Sequence, residues 1–303
     1  MILLDYIFAA RPMLHLPLWS VYLVSLHYHH RLSGETFTPA DLLVMTCLSL
    51  VASGSYYINQ VYDYDSDRIN GKLGFLLNGL VREQGLWSLF LVLSVVSVGL
   101  AVFLSWSTAL IMVALFVLGF FYSAPPFRLK DRPAWGLLIN AVGIGFIVPL
   151  AVMPDLNVHN IGLLGWDSPL FFLFSVGSIY ILTTLPDREG DRAVGKRTLA
   201  VVLPGALVAA LSLVLMMLSA WVAYYSGHRL LLYLSLMSTI IILPVLPARS
   251  DRFTLFAAKF PVLLLTLLAG YLFWSYLLFV VAIVIGTRIY YRRRFAVVYP
   301  KLA

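Results

Sequence analysis

The segment Asn59-Gln-Val-Tyr-Asp63-Tyr-Asp65-Ser-Asp67 closes a long apolar run, residues 42–58, with three carboxylates in five positions. Charge there is costly unless something binds it, because the run reads as a membrane-spanning helix. Asn59, Asp63 and Asp67 are spaced four apart, so on a continuing helix they share one face, drifting about 40° per step. Two carboxylates and an amide in that array offer hard oxygen ligands, which suit Mg²⁺ better than Zn²⁺ or copper. A second stretch, Asp187-Arg-Glu-Gly-Asp191-Arg-Ala-Val-Gly-Lys196-Arg-Thr-Leu, closes the apolar run 170–185 in the same way, with Asp187 and Asp191 again on one face. Two acidic patches, each beside Arg and Lys, fit a polyanion held between them. The carboxylates hold Mg²⁺, the Mg²⁺ holds phosphate oxygens, and the basic residues take the remaining charge. The plain alternative for one patch alone is a solvated helix end, and the matching pair weighs against it. Asp65 and Glu189 lie off these faces, which suits solvated or supporting roles. Because carboxylates in such a site repel one another, Asp63→Ala or Asp191→Ala is expected to spare the fold.

A third segment, Tyr122-Ser-Ala-Pro-Pro-Phe-Arg128-Leu-Lys130, follows the fourth apolar run. Pro125-Pro126 ends a helix there, and the charges could simply mark the membrane interface. The functional reading places Tyr122 and Ser123 on a cavity and lets Arg128 and Lys130 reach phosphates. Together these segments resemble the intramembrane prenyltransferases of the UbiA type. Those carry an N-D-x-x-D-x-x-x-D motif, a later D-x-x-x-D motif and a Y-S-x-P-P-x-R-x-K segment. Here the first motif reads N-Q-x-x-D-x-x-x-D, with Gln60 in place of the usual acid. Many relatives continue it as D-x-x-N-x-P-x-R-P, whereas this chain runs Asp67-Arg-Ile-Asn70-Gly-Lys-Leu-Gly-Phe. That departure leaves the metal chemistry intact and the acceptor class open.

The resemblance implies Mg²⁺-dependent transfer of a polyprenyl group from its diphosphate, geranyl to geranylgeranyl or longer, to a lipophilic acceptor, either an aromatic quinone precursor or a lipid. It implies two Mg²⁺ ions on Asn59, Asp63, Asp67, Asp187 and Asp191, with the four aspartates as the catalytic set. Substrate contacts are expected from Asn59, Arg68, Lys72, Tyr122, Ser123, Arg128, Lys130, Arg188 and Lys196. A basic residue in any of these loops has a second explanation, as a topology signal.

The elements that must position these residues follow from composition. Of 303 residues 61% are hydrophobic and 12% charged, with a mean hydropathy of +0.91. A soluble domain carries about a quarter charged residues, so the chain is a polytopic all-α membrane protein, expected as a single domain over 1–303. Its net charge of +7 describes loops over an anionic leaflet and gives no reason to expect nucleic acid. The single cysteine, Cys47, excludes intramolecular disulfides and thiolate clusters. Met-Ile-Leu-Leu-Asp5 lacks a basic n-region, so no signal peptide is expected.

Apolar runs fall near 12–28, 40–62, 84–104, 106–122, 134–153, 168–186, 200–225, 229–247 and 260–291. A span needs roughly 20 residues, which predicts about nine helices around a central cavity. The last run is long enough to be one tilted helix or two short ones broken near Gly270. Arg11 and the loops near 68–82, 128–132, 188–197 and 249–259 carry 14 of the 21 lysines and arginines. The positive-inside rule puts that side, and the site opening, in the cytoplasm of a multi-pass cell-membrane protein. With nine spans the tail Arg292-Arg-Arg294 falls outside; splitting the last run would bring it in. His27, His29 and His30 lie at the opposite end of the first span, where a wet interfacial cluster is favoured over a metal site. A transporter with intramembrane carboxylates as cation sites is the rival class, and its acids would sit mid-span.

Overall fold

The computed structural model describes residues 2–69, 71, 73–153, 166–247 and 250–300, and among them the chain forms helices and no strand. A short helix, α1 (Ile2–Ala9), precedes the first crossing, α2 (His15–Ser33), which Gly34 ends in a left-handed cap at φ 76°. Thr38 then starts α3 (Pro39–Tyr62) with a reciprocal cap. Its hydroxyl accepts the Asp41 N–H at 3.4 Å, and the Asp41 carboxylate accepts the Thr38 N–H at 2.7 Å. Past Tyr62 comes the six-residue α4 (Tyr64–Ile69).

The chain continues through α5 (Glu83–Leu104), α6 (Trp106–Ser123) and α7 (Pro133–Leu150), which widens into a π-helical stretch over Ala141–Ile147. Beyond them lie α8 (Asp167–Thr184), the six-residue α9 (Arg188–Ala193), the single turn α10 (Leu199–Val202) and α11 (Gly205–Tyr225). The last three are α12 (Arg229–Val245), α13 (Asp251–Leu272) and α14 (Trp274–Phe295).

Nine helices are long and apolar enough to cross a membrane among the described residues, and α12 is a shorter apolar helix beside them. The membership differs from the sequence expectation. The eighth run forms the short α12, and the run 260–291 belongs to two helices. Phe273, at φ −132° and ψ 84°, separates them three residues beyond Gly270, in agreement with the two-helix alternative. Gly270 instead makes room for the returning helix, since a β-carbon there would stand 3.2 Å from Leu277. With that break the two ends of the chain meet. Asp5 of α1, fully buried, receives Arg294 of α14 in a bidentate pair at 3.0 Å on each oxygen, and the Tyr290 hydroxyl as well.

The N-terminal half packs α3 on α5 and α6; the C-terminal half packs α8 on α7 and α11; α2 joins them by lying along α13. Lipid tails give no hydrophobic gain to helix pairing, so small residues and interhelical hydrogen bonds set the contacts, each bond worth about 0.6 kcal/mol. Ser178 and Ser212 show the device. Each hydroxyl donates to the other's carbonyl, at 2.8 and 2.9 Å, and so ties α8 to α11. Ser97 of α5 donates to the Cys47 carbonyl of α3 at 2.8 Å.

Candidate active site

The acidic motifs stand where two long helices stop. Asp63 is the residue after α3, yet its N–H still reaches the Asn59 carbonyl at 2.9 Å, and the Asp67 N–H reaches the Asp63 carbonyl at 2.7 Å. The i, i+4 register therefore runs through the junction with α4 and carries the three residues as the spacing predicts. At the end of α8 the same pattern recurs: the Asp191 N–H bonds the Asp187 carbonyl at 2.8 Å. The two short helices that follow, α4 and α9, lie against each other.

What joins the motifs is a pair of lysines. Lys130 Nζ is 2.8 Å from Asp63 Oδ1, its side chain 6% exposed against 13% for Asp63. Lys196 Nζ stands 3.4 Å from Asp63, 3.7 Å from Asp191 and 4.0 Å from Asp131. One ammonium thus spans both acidic motifs. Thr198 adds a hydroxyl bond to the Asp191 carboxylate at 3.4 Å. Burial works against ionising Asp63, but the two ammonium groups win and hold its carboxyl below the usual range. Burial also opposes the charge on Lys196, and here Asp63, Asp191 and Asp131 together raise it above the ordinary lysine value. Lys130 is too deeply buried for Asp63 to compensate, and its ammonium is pulled below that value.

These pairs weigh against the expectation that removing Asp63 would spare the fold. In the structure its carboxylate offsets two buried ammonium charges, and repulsion between acids is not the governing term.

The other expected residues divide. Asn59 donates to the buried Ser123 hydroxyl at 3.2 Å, linking the end of α3 to the end of α6. Tyr122 has the Lys130 ammonium 6.0 Å from its ring centroid. Asp67 is buried on α4, and Asp187 is exposed at the start of α9. Arg128, in a left-handed conformation at φ 39°, is held by Asp131 at 2.9 Å and donates to the Tyr62 carbonyl at 3.4 Å.

Two basic residues do not join the group. Arg68 is 65% exposed and pairs with Asp65 at 3.6 Å. Arg188 turns into a separate cavity of about 620 Å³ between Pro186, Gly205, Val245 and Asp251. Lys72 lies outside the described residues. Gln60, at the motif position where relatives have an acid, is buried and donates to the Ala9 carbonyl at 2.7 Å, so it anchors the α1 connection.

Sequence reasoning missed Asp131, which stands 4.0 Å from the Lys196 ammonium. It lies three residues after Arg128, a spacing that favours an ion pair. On the opposite side of the bundle the histidines pair with acids: His29 with Glu35 at 3.8 Å and His30 with Asp41 at 3.9 Å.

Among the described residues no three His, Cys, Asp or Glu side chains gather closely enough to hold a metal ion alone. Asp63 and Asp191 nevertheless present carboxylate oxygens from two sides to one cation, the Lys196 ammonium. This donor set fits Mg²⁺ when a ligand's own oxygens complete the octahedral shell.

A model of the UbiA prenyltransferase family matches residues 18–252. Over 162 residues the chain is 32% identical to the protein of Oryza sativa subsp. japonica named probable homogentisate phytyltransferase 2, covering 50% of this chain and 42% of that one. It is 26% identical over 214 residues to digeranylgeranylglyceryl phosphate synthase of Sulfurisphaera tokodaii, covering 67% and 72% of the two chains. The chain thus spans less than half of the plant relative and nearly three quarters of the archaeal one. The fold is similar to that of a UbiA homolog from Archaeoglobus fulgidus solved with DMAPP and Mg²⁺, at TM-score 0.70 and 18% identity over 88% of this chain and 98% of that one. The paired acidic helix ends, the lysine bridge between them and the family match over most of the chain lead to one conclusion: this multi-pass membrane protein belongs to the UbiA prenyltransferase family.

Proposed function

We propose that the chain transfers a polyprenyl group from a prenyl diphosphate to a lipophilic acceptor within the membrane, with two Mg²⁺ ions. The observation that carries this reading is the convergence of Asp63 and Asp191, from separate acidic motifs, on one ammonium at 3.4 and 3.7 Å. Archaeoglobus fulgidus homologs solved with DMAPP or GPP and Mg²⁺ support the choice of ligand. Asn59, Asp63, Asp67, Asp187 and Asp191 would hold the ions, and bound Mg²⁺ would neutralise the departing diphosphate. Lys130 and Lys196, already at the site, supply positive charge to the same oxygens.

In the reaction the allylic C–O bond breaks and its electron pair leaves with pyrophosphate. The acceptor then bonds to the freed carbon and loses a proton. Tyr122, at the end of α6, offers an aromatic face to the developing cation, and the surrounding apolar helices exclude water.

The acids of the long helices oppose a transporter. Asp41, Glu83, Asp167 and Asp251 all sit in the first turn of their helices, not mid-span. The same reading puts the site in the cytoplasmic half. With α12 also taken as a crossing, the α13–α14 break would add Arg288, Arg292, Arg293 and Arg294 to the basic face, leaving Arg31 and Arg229 opposite.

The direct test is thermal stability of the purified protein in detergent with geranyl diphosphate. A rise in Tm with Mg²⁺ that EDTA abolishes is expected. No rise, or an equal rise in EDTA, would overturn the reading.

A further inference from the structure

Asp63 and Asp191 both meet a cation before any metal arrives. The Lys196 ammonium stands between them, 3.4 Å from one and 3.7 Å from the other. A divalent ion binds carboxylate oxygens at about 2 Å, so an ion shared by the two acids competes with the ammonium for the same lone pairs. Displacing Lys196 from both acids leaves a charged side chain, 14% exposed, that needs another partner.

A third carboxylate stands within reach. Asp131 closes the short turn Leu129–Asp131 after α6, and its Oδ1 is 4.0 Å from the same Lys196 nitrogen. The two oxygens of this carboxylate differ. Oδ2 accepts the Arg128 Nε–H at 2.9 Å, while Oδ1 is buried and has no hydrogen-bond partner. A buried carboxylate oxygen left unbonded is uncommon and calls for a use. The backbone holds it in place, because the Arg197 N–H, one residue past Lys196, donates to the Asp131 carbonyl at 3.0 Å. From the other side Arg128 donates to the Tyr62 carbonyl at 3.4 Å, next to Asp63. Asp131 is thus tied to the first acidic motif and to the loop after the second. Closing 4.0 Å to the roughly 2.8 Å of a charge-assisted hydrogen bond needs only rotations within the flexible lysine stem.

We propose that Asp131 is a positioning residue for the metal-loaded site, which receives the Lys196 ammonium on Oδ1 when Mg²⁺ takes the Asp63 and Asp191 carboxylates. This rests on the proposed Mg²⁺-dependent prenyl transfer. In the metal-free protein Lys196 offsets the repulsion between the two acidic motifs. In the loaded protein it lies between Asp131 and the diphosphate, and its three N–H donors let it serve both. Asp131 itself touches neither metal nor prenyl group. Its carboxylate acts on metal affinity through Lys196.

The test is calorimetric titration of the full-length protein with Mg²⁺, a non-cleavable geranyl diphosphate analogue being present throughout. Four proteins form the cycle: the parent, Asp131→Asn, Lys196→Met and the double variant. Asp131→Asn should weaken Mg²⁺ binding about tenfold, since the ammonium then lacks a second acceptor and stays in competition. In the Lys196→Met background the same substitution should change the affinity by less than about twofold. Asp131→Glu, which keeps the charge, should restore most of the affinity. Arg128→Gln is the control for a purely structural role, and the Asp131→Asn loss should persist in that background. Where Asp131→Asn fails to fold, Asp131→Ser takes its place in the cycle. Unchanged affinity in Asp131→Asn, an equal loss with and without Lys196, or a loss that disappears with Arg128 would overturn the inference alone. A parent that binds no Mg²⁺ beside the analogue would overturn the prenyl-transfer reading and the inference with it.

Discussion

Asp63 is the residue on which the charges of the site balance. Its neighbours Lys130 and Lys196 are both largely buried, and removing one partner of a buried pair costs roughly 3–5 kcal/mol because the other charge is left uncompensated. Asp63→Ala should therefore abolish turnover and also lower Tm, whereas Asp63→Ala combined with Lys130→Met should recover much of the stability and none of the activity. Thermal denaturation of the three proteins alongside a Mg²⁺-dependent assay checks both halves, and an unchanged Tm in Asp63→Ala would contradict the pairing. The pH dependence follows from the same groups. Asp63 is depressed in the folded protein, so its contribution is present above the ordinary carboxylate pKa and lost as pH falls through the lower folded value. Lys196 is raised, so its contribution is present below the ordinary lysine pKa and lost as pH rises through the higher one. Metal-free protein should lose stability from these groups only below about pH 4 and above about pH 10, and Asp63→Asn should remove the acid limb of the Tm profile.

At the scale of elements, α1 is held by polar contacts that the acidic motifs gave no reason to expect. Arg294 and Tyr290 of α14 reach Asp5, and Gln60 of α3 reaches the Ala9 carbonyl. Tyr57 adds its hydroxyl to the Tyr6 carbonyl at 2.8 Å. Hydrogen bonds to charged groups contribute about 1.5–3 kcal/mol. Asp5→Ala should cost stability of that order, read as a lower Tm, while leaving the affinity for prenyl diphosphate unchanged, since Asp5 is bonded to Arg294 and Tyr290 and to neither lysine. A titration of Asp5→Ala with the diphosphate and Mg²⁺ that showed weakened binding would instead place α1 in the site. Gln60 was visible in the sequence as a departure from the family motif. Its partner was not, because Ala9 is 51 residues away and contributes only a backbone oxygen.

For the whole molecule, the decisive property is that neither acidic motif is sufficient. On the proposed function, with no cluster of three ligating side chains among the described residues, metal and prenyl diphosphate would complete each other's coordination. They should bind cooperatively, each raising the other's affinity by the same factor. Asp187→Ala should weaken Mg²⁺ binding when a non-cleavable diphosphate analogue is present and have little effect without it. Calorimetric titrations in both conditions test this, and tight Mg²⁺ binding unaffected by the analogue would show two separate sites. Topology is testable on the same scale. Cysteines introduced near Arg82 and near Arg293 should both react with a cytoplasmic-side reagent in membrane vesicles, and one near Glu35 should not.

The sequence by itself determined the class of the protein, the helix ends that carry the acids, and the register of Asn59, Asp63 and Asp67. These depend on local quantities: hydropathy over about twenty residues and an i, i+4 spacing that survives the break after Tyr62. It left open whether the final run is one helix or two, because the break at Phe273 carries no proline or glycine and arises where two apolar helices turn back on each other. It also listed Arg68 and Arg188 beside Lys130 and Lys196, since all four are cations near an acid in sequence. Only the tertiary structure separates them. Lys130 is buried against Asp63 and Lys196 bridges two motifs 128 residues apart in the chain, Asp63 to Asp191, while Arg68 faces outward and Arg188 enters another cavity. Which cation meets which carboxylate is set by the packing of α3, α6 and α8 around one point, and no spacing within a single helix encodes it.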